Sequence, residues 1–160
     1  MEILNKNVIV TGGANGIGKA LAKSFKNAGA AYILIADLDE TEGQKTADEL
    51  GIKFKKTNVS SESDIIELIE TANNDAKSID IFCSNAGIGG APMLLDVSTE
   101  DWQNIWEINV MSHIYAAKNV LPQMIENGSG YLMNTASAAG LLTQVGAAPY
   151  SVTKAAALSL

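Results

Sequence analysis

The sequence predicts an α/β domain on a doubly wound parallel sheet, and three observations carry that expectation. Short apolar runs alternate with segments of helical period along the whole chain. The first run ends in a glycine-rich turn, Thr11-Gly12-Gly13-Ala14-Asn15-Gly16-Ile17-Gly18, and the polar residues with chemistry to offer fall just after such runs. Parallel strands need crossovers, and each crossover packs a helix on a face of the sheet, so the alternation implies a doubly wound arrangement with ligands gathered at the strand C-terminal ends. A chain of 160 residues that is 47% hydrophobic suits one compact domain over residues 1–160, and neither a linker nor an internal repeat interrupts it.

Asn7 to Thr11 is the first apolar run. Behind its glycines Ile17, Leu21, Phe25 and Ala28 recur at helical spacing until Gly29 can close the helix. Tyr32 to Ala36 is the second run, ended by Asp37. Asp39 with Glu42 three residues on then forms a capping pair for a helix that stops at Gly51. Ile52-Lys53-Phe54-Lys55 alternates, and its lysines suit a sheet edge, where charge discourages pairing with another chain. Ser60 or Ser61 caps the next helix, whose apolar face is Ile65, Leu68, Ile69 and Ala72. Ile79 to Ser84 is the fourth strand. Ser98 with Asp101 opens one long helical stretch through Trp102, Ile105, Ile108 and Ile114 towards Glu126, and Gly130 to Thr135 is the fifth strand.

Composition excludes several classes of function. A net charge of −7 argues against a nucleic-acid partner, which would want a basic face to neutralise phosphates. No apolar stretch approaches the ~20 residues of a membrane span, and Met1 to Lys6 lacks the basic and apolar regions of a signal peptide, so a cytoplasmic location with no membrane contact is expected. Cys83 is the single cysteine, which removes intrachain disulfides and argues against a Cys-based metal site; beside Ile81 and Phe82 it reads as a small core residue. No metal is expected.

Two motifs speak to each other across the chain. In Gly12-x-x-x-Gly16-x-Gly18 the first glycine permits the turn, the middle one lets backbone approach a pyrophosphate, and the last allows close helix packing, while the helix N-terminus offers amides and positive dipole to phosphates. Asp37, about twenty residues on, is the acid that a dinucleotide fingerprint requires. A carboxylate there accepts hydrogen bonds from ribose hydroxyls and repels a 2′-phosphate, and the chain has no arginine to offset it, so NAD is expected rather than NADP. At the other end Tyr150 and Lys154 stand four residues apart, hence on one helix face, where an ammonium beside a phenol favours its ionised form. Ser137 can donate to a developing alkoxide or accept from an alcohol.

These residues together resemble the short-chain dehydrogenase/reductase family: the TGGANGIG turn, Asp37, Asn85-Ala86-Gly87, Asn109, Ser137 and the Tyr150/Lys154 pair fall in that family's order and spacing. The resemblance covers nearly the whole chain. It implies a Rossmann fold and an oxidoreductase that moves a hydride between NAD(H) and a secondary alcohol or carbonyl. Tyr150 would be general acid/base, Ser137 would bind the substrate oxygen, Lys154 would hold the nicotinamide ribose, and Asn109 would position a water in a proton relay. It implies cofactor contacts from Gly12, Asn15, Gly16, Ile17, Gly18, Asp37, Asn58, Val59, Asn85, Ala86, Gly87, Tyr150 and Lys154, and a homodimer or homotetramer.

Two departures qualify the resemblance. Asn58-Val59 stands where the family often has Asp-Val, and an amide can still hydrogen-bond there. The family usually continues for many more residues, so the chain reads as truncated after the fifth strand and the start of the following helix, and as a poor catalyst alone. Alternatives are an NAD-binding protein or fragment without turnover, and an epimerase or dehydratase on the same scaffold. Substrate selection is expected around Gly89 to Leu95 and Leu141 to Pro149. His113, with no second ligand candidate nearby, reads as a helix-surface or packing residue, and Trp102 and Trp106 as core or subunit interface.

Overall fold

The structure, a computed structural model, describes residues 2–89 and 94–160. Five strands, β1 (Asn7–Thr11), β2 (Tyr32–Asp37), β3 (Lys53–Lys56), β4 (Ile81–Ser84) and β5 (Tyr131–Asn134), form one parallel sheet in the order β3-β2-β1-β4-β5. From β1 the chain runs outward through β2 to β3, then returns to the other side of β1 for β4 and β5. The connections therefore diverge between β1 and β4, where a doubly wound sheet opens a crevice at its C-terminal edge. The helices are α1 (Gly16–Asn27), α2 (Glu40–Leu50), α3 (Glu62–Ala76), α4 (Thr99–Trp106), α5 (Ser112–Glu126) and α6 (Ala148–Ser159).

Strand side chains alternate between two cores because the strand period is two. Val8 and Val10 of β1, with Ile33, Ile35, Ile81 and Cys83, face α1 and α2 through Ala22, Phe25, Ala47 and Leu50. Ile9, Leu34 and Phe82 face the opposite side, against Ile65, Leu68, Ile69 and Ala72 of α3 and Ala116, Val120 and Met124 of α5. Each fully buried Leu, Ile or Phe contributes roughly 1.5–3 kcal/mol by leaving water. The central strands are buried on both faces, which is why they read as unbroken apolar runs rather than as alternation. Cys83 is one of these core residues, and burial pushes its thiol up to about 12.

Local chemistry sets the helix ends. The Asp39 side chain accepts from Glu42 N, and α2 stops at Gly51 in the left-handed region at φ +59°. Ser98 accepts from Asp101 N at the start of α4. Of the two candidate serines before α3, Ser61 is the cap, accepting from Asp64 N, while the Ser60 hydroxyl turns to Asn58 Oδ1. The lysine-bearing strand β3 lies at a sheet edge, as its charge suggests.

The long helical stretch differs from expectation in its middle. Between α4 and α5 the backbone winds as a π-helix over Glu107–Met111, so the apolar register slips by one residue and Asn109 turns fully into the interior. Trp102 is half-buried and Trp106 is exposed, so neither belongs to the core. Of the segment expected to select substrate, residues 90–93 lie outside the described residues.

Ser61→Ala is expected to cost about 1 kcal/mol of unfolding free energy by urea denaturation, and Ser60→Ala less than half as much, because one of the two hydroxyls caps α3 and the other does not.

Candidate active site

One cleft of about 650 Å³ runs along the C-terminal edge of the sheet. At one end it is lined by Asp37, Leu38, Thr57, Asn58 and Val59; in the middle by Gly12, Asn15, Ile17 and Gly18; at the other end by Asn85 to Gly89, Ile108, Thr135 to Ser137, Tyr150 and Lys154. Every catalytic or cofactor-binding residue expected from the sequence lies on this wall except two, whereas of the described residues expected to select substrate Gly89 lines it and Leu94, Leu95 and residues 141–149 do not. Gly16 opens α1 beside the cleft and is exposed, and Asn109 lies buried behind it.

The middle of the cleft is the start of α1. A Cβ on Gly18 would collide with the Gly12 carbonyl oxygen and lie 2.8 Å from Asn85 Nδ2, so only glycine lets the helix press this close to the turn. Gly12 has φ +65°, and a side chain there would approach the Ala86 backbone to 2.9 Å. Unlike α2, α3 and α4, helix α1 has neither a side-chain cap nor an acidic residue in its first turn. Its first amides therefore present positive potential to the cleft without an internal counter-charge. Asp37, at the end of β2, fixes the turn from the other side: one carboxylate oxygen accepts from Ala14 N at 3.0 Å and the other from Asp39 N at 3.1 Å.

A side-chain bridge joins the strand ends under this turn. Asn85 Nδ2 donates to Thr11 O at 3.0 Å, Thr135 Oγ1 donates to Asn85 Oδ1 at 3.0 Å, and Thr11 Oγ1 accepts from the backbone amides of Asn85 and Ala86. Neither threonine is among the site residues expected from the sequence, although each stands where a site residue could, Thr11 just before the Gly-rich turn and Thr135 just after the fifth strand.

At the far end α6 carries Tyr150 and Lys154. Lys154 is buried, donates to Thr135 O at 2.8 Å, and holds its nitrogen 5.8 Å from the centre of the Tyr150 ring; burial keeps its pKa below the ordinary lysine value. Ser137, half-buried, starts a 3-10 turn over Ala138–Gly140 by accepting from Ala139 N. Asn109 pins the loop after β4, with Oδ1 accepting from Ile88 N and Nδ2 donating to Ile88 O, both at 2.8 Å, and to Thr153 Oγ1 at 3.1 Å. Both its amide protons are thus spent on protein, leaving only its carbonyl able to accept once more. The π-helical turn sets Asn109 in that place, and no residue type in the sequence signals the turn. Gly89 packs on the Tyr150 ring, where a Cβ would stand 3.4 Å from Cδ2.

The arrangement offers a proton-carrying phenol, a buried ammonium and a hydroxyl at one end, a helix N-terminus in the middle and a carboxylate at the other. Among the described residues no group of three or more His, Cys, Asp or Glu side chains could hold a metal ion, and no helix is long and apolar enough to cross a membrane.

The sequence profile of a family described as short chain dehydrogenase matches residues 6–160. An uncharacterized oxidoreductase, YvrD, of Bacillus subtilis (strain 168) is 35% identical over 164 residues, covering 100% of this chain and 62% of the relative. An uncharacterized oxidoreductase of Staphylococcus aureus (strain MRSA252) is 32% identical over 157 residues, covering 96% of this chain and 68% of that one. A solved structure of a short chain dehydrogenase/reductase from Burkholderia phymatum in complex with NAD superposes with a TM-score of 0.96 at 28% identity, covering 99% of this chain and 58% of that one. The chain thus spans roughly three fifths to two thirds of the length of the proteins it matches.

His113, on α5, is buried with no hydrogen-bond partner at either ring nitrogen among the described residues. Burial first and the Lys154 charge second lower its pKa to about 4; Asn134 opposes the shift without reaching hydrogen-bond geometry. It is a packing residue. An imidazole neutral in the fold and protonated in the unfolded chain adds stability that is full above the unfolded pKa of about 6.5 and is lost as pH falls towards 4. Urea denaturation across that window should show a loss on the order of 3 kcal/mol from this group, and His113→Leu should remove most of the slope.

Proposed function

The chain belongs to the short chain dehydrogenase family, and on that premise we propose that it is the NAD-binding and catalytic part of an oxidoreductase interconverting a secondary alcohol and a carbonyl. The observation that carries the reading is the single cleft joining Asp37 to Ser137, Tyr150 and Lys154 past the uncapped start of α1. That the Burkholderia phymatum relative holds NAD supports the same cofactor here.

The donor set fits the cofactor on its own terms. Asp37 would accept from the hydroxyls of the adenosine ribose, Asn58 and Val59 would flank the adenine, and the amides around Gly12, Asn15, Gly16, Ile17 and Gly18 would face the pyrophosphate. Asn85 to Gly87 with Tyr150 and Lys154 would border the nicotinamide ribose. A 2′-phosphate would meet the Asp37 carboxylate, with Asp39 and Glu40 beyond it and no arginine in the chain to offset them.

NAD, when bound, supplies the hydride acceptor or donor. The chain's own residues handle the proton. Tyr150 takes it from the alcohol oxygen, or returns it to the carbonyl oxygen. The Lys154 ammonium, fixed to Thr135 O, stands 5.8 Å from the centre of the Tyr150 ring, on the side where the nicotinamide ribose would lie. Ser137 orients the substrate oxygen and hydrogen-bonds to it as charge develops there. Asn109 positions the loop through Ile88, and its remaining acceptor site would hold the relay water. The exposed apolar side chains Trp106, Leu121, Ile125, Val152 and Leu158 support assembly into a homodimer or homotetramer through the helices that carry them.

Titration following nicotinamide fluorescence should give NADH binding at least about tenfold tighter than NADPH, and Asp37→Ala should narrow that ratio. Equal or tighter NADPH binding would remove Asp37 from its assigned role. Tyr150→Phe should lower turnover of a carbonyl by at least about 100-fold while leaving NADH affinity within about twofold, since the ring stays and the proton carrier goes.

A further inference from the structure

The Asp37 end of the cleft is lined by Asp37, Leu38, Thr57, Asn58 and Val59. Their side chains differ in what they have left to offer a ligand. Leu38 and Val59 bring hydrocarbon. The Thr57 hydroxyl is buried and donates to Lys55 O at 3.2 Å, and Asp37, which already accepts from Ala14 N and Asp39 N, can only accept again. Asn58 is exposed on this wall, and its amide could in principle present either an oxygen or an amino group.

The neighbours of Asn58 decide between the two. The backbone N–H of Ser60 can only donate, and it meets one atom of the Asn58 amide at 3.2 Å; the Ser60 hydroxyl reaches the same atom at 2.8 Å. That atom has to be the carbonyl oxygen, because an amino group there would set donor against donor. Both acceptor sites of Oδ1 are then taken, and Nδ2, which has no acceptor among the described residues, is the part of the amide left for a ligand. The main chain beneath it is held as well: Asn58 N donates to Asp64 Oδ2 and Asn58 O accepts from Ser61 N, both at 3.0 Å.

Charge gives a reason for an amide at this place. The bonds from Asn58 N and from the Ser61 hydroxyl hold the Asp64 carboxyl below the usual carboxylate range. A second carboxylate at position 58 would therefore stand beside an ionised neighbour, with Asp37 lining the same end of the cleft.

We propose that Asn58 makes the base pocket a donor site: Nδ2 gives a hydrogen bond to an acceptor on the purine edge, a ring nitrogen of adenine or the 6-oxo group of hypoxanthine, and the pocket does not select for the 6-amino group. The assignment rests on the NAD reading above. A carboxylate of the same shape would do the reverse, accepting from the 6-amino group of adenine and repelling a 6-oxo oxygen. One atom of one side chain thus sets the sense in which the base is read.

The test titrates the 160-residue chain with NADH and with reduced nicotinamide hypoxanthine dinucleotide, which differ only in the base, and follows nicotinamide fluorescence. The two affinities should lie within about threefold of each other, and Asn58→Asp should move their ratio at least about tenfold towards NADH. Should the added charge beside Asp64 unfold the variant, Asn58→Ala decides: an equal loss for both dinucleotides supports the donor assignment, and a loss confined to NADH overturns it. A preference of the unaltered chain for NADH of about tenfold or more, or a folded Asn58→Asp variant with an unchanged ratio, also overturns it and leaves the NAD reading standing. If neither dinucleotide binds, the NAD reading fails and this one with it.

Discussion

The bridge Thr11–Asn85–Thr135 is the interaction on which the site depends, because it ties the C-terminal ends of β1, β4 and β5 into one rigid edge. Each part of the cleft hangs from it. Thr11 O leads into the glycine turn that starts α1, Asn85 starts the loop that reaches Asn109 through Ile88, and Thr135 O takes the ammonium of Lys154. These polar groups are mostly shielded from water, so every unmade hydrogen bond would cost about 1–3 kcal/mol, and the network is close to all-or-none. A displaced Asn85 would misplace the turn, the loop and the lysine together.

The electrostatic layout divides the labour along the cleft. Negative charge stands at Asp37, the partial positive charge of the uncapped α1 amides stands midway, and the buried ammonium of Lys154 stands by Tyr150. That order matches a dinucleotide whose sugar hydroxyls, phosphates and redox end follow one another. Burial of Lys154 and its bond to Thr135 O fix the ammonium beside the Tyr150 ring.

The strands, the order of elements and most caps were legible because they depend on local chemistry. Val8 to Val10 and Ile81 to Cys83 are apolar on both faces, and Asp39, Ser98 and Gly51 end helices by hydrogen bonds and backbone angle alone. The fingerprint glycines and Asp37 were legible for the same reason, since a turn and an acid at fixed spacing follow from a strand–turn–helix unit. Other features depend on tertiary contacts that no period records. The π-helical turn at Glu107–Met111 leaves no mark in composition, yet it decides that Asn109 faces Ile88 and Thr153. Thr135 gained its importance from a lysine nineteen positions away, and His113 from the packing of α5 against the sheet. The choice of Ser61 over Ser60 turned on which hydroxyl Asn58 engaged.

One cleft is proposed to hold NAD with its adenosine at Asp37 and its redox end at Tyr150. A crystal structure of the chain grown with NADH tests it most directly. Expected are ribose hydroxyls within hydrogen-bond distance of the Asp37 carboxylate, pyrophosphate at the first turn of α1, and nicotinamide beside Ser137 and Tyr150 with its ribose at Lys154. Nucleotide bound in the reverse sense, or outside this cleft, would contradict it.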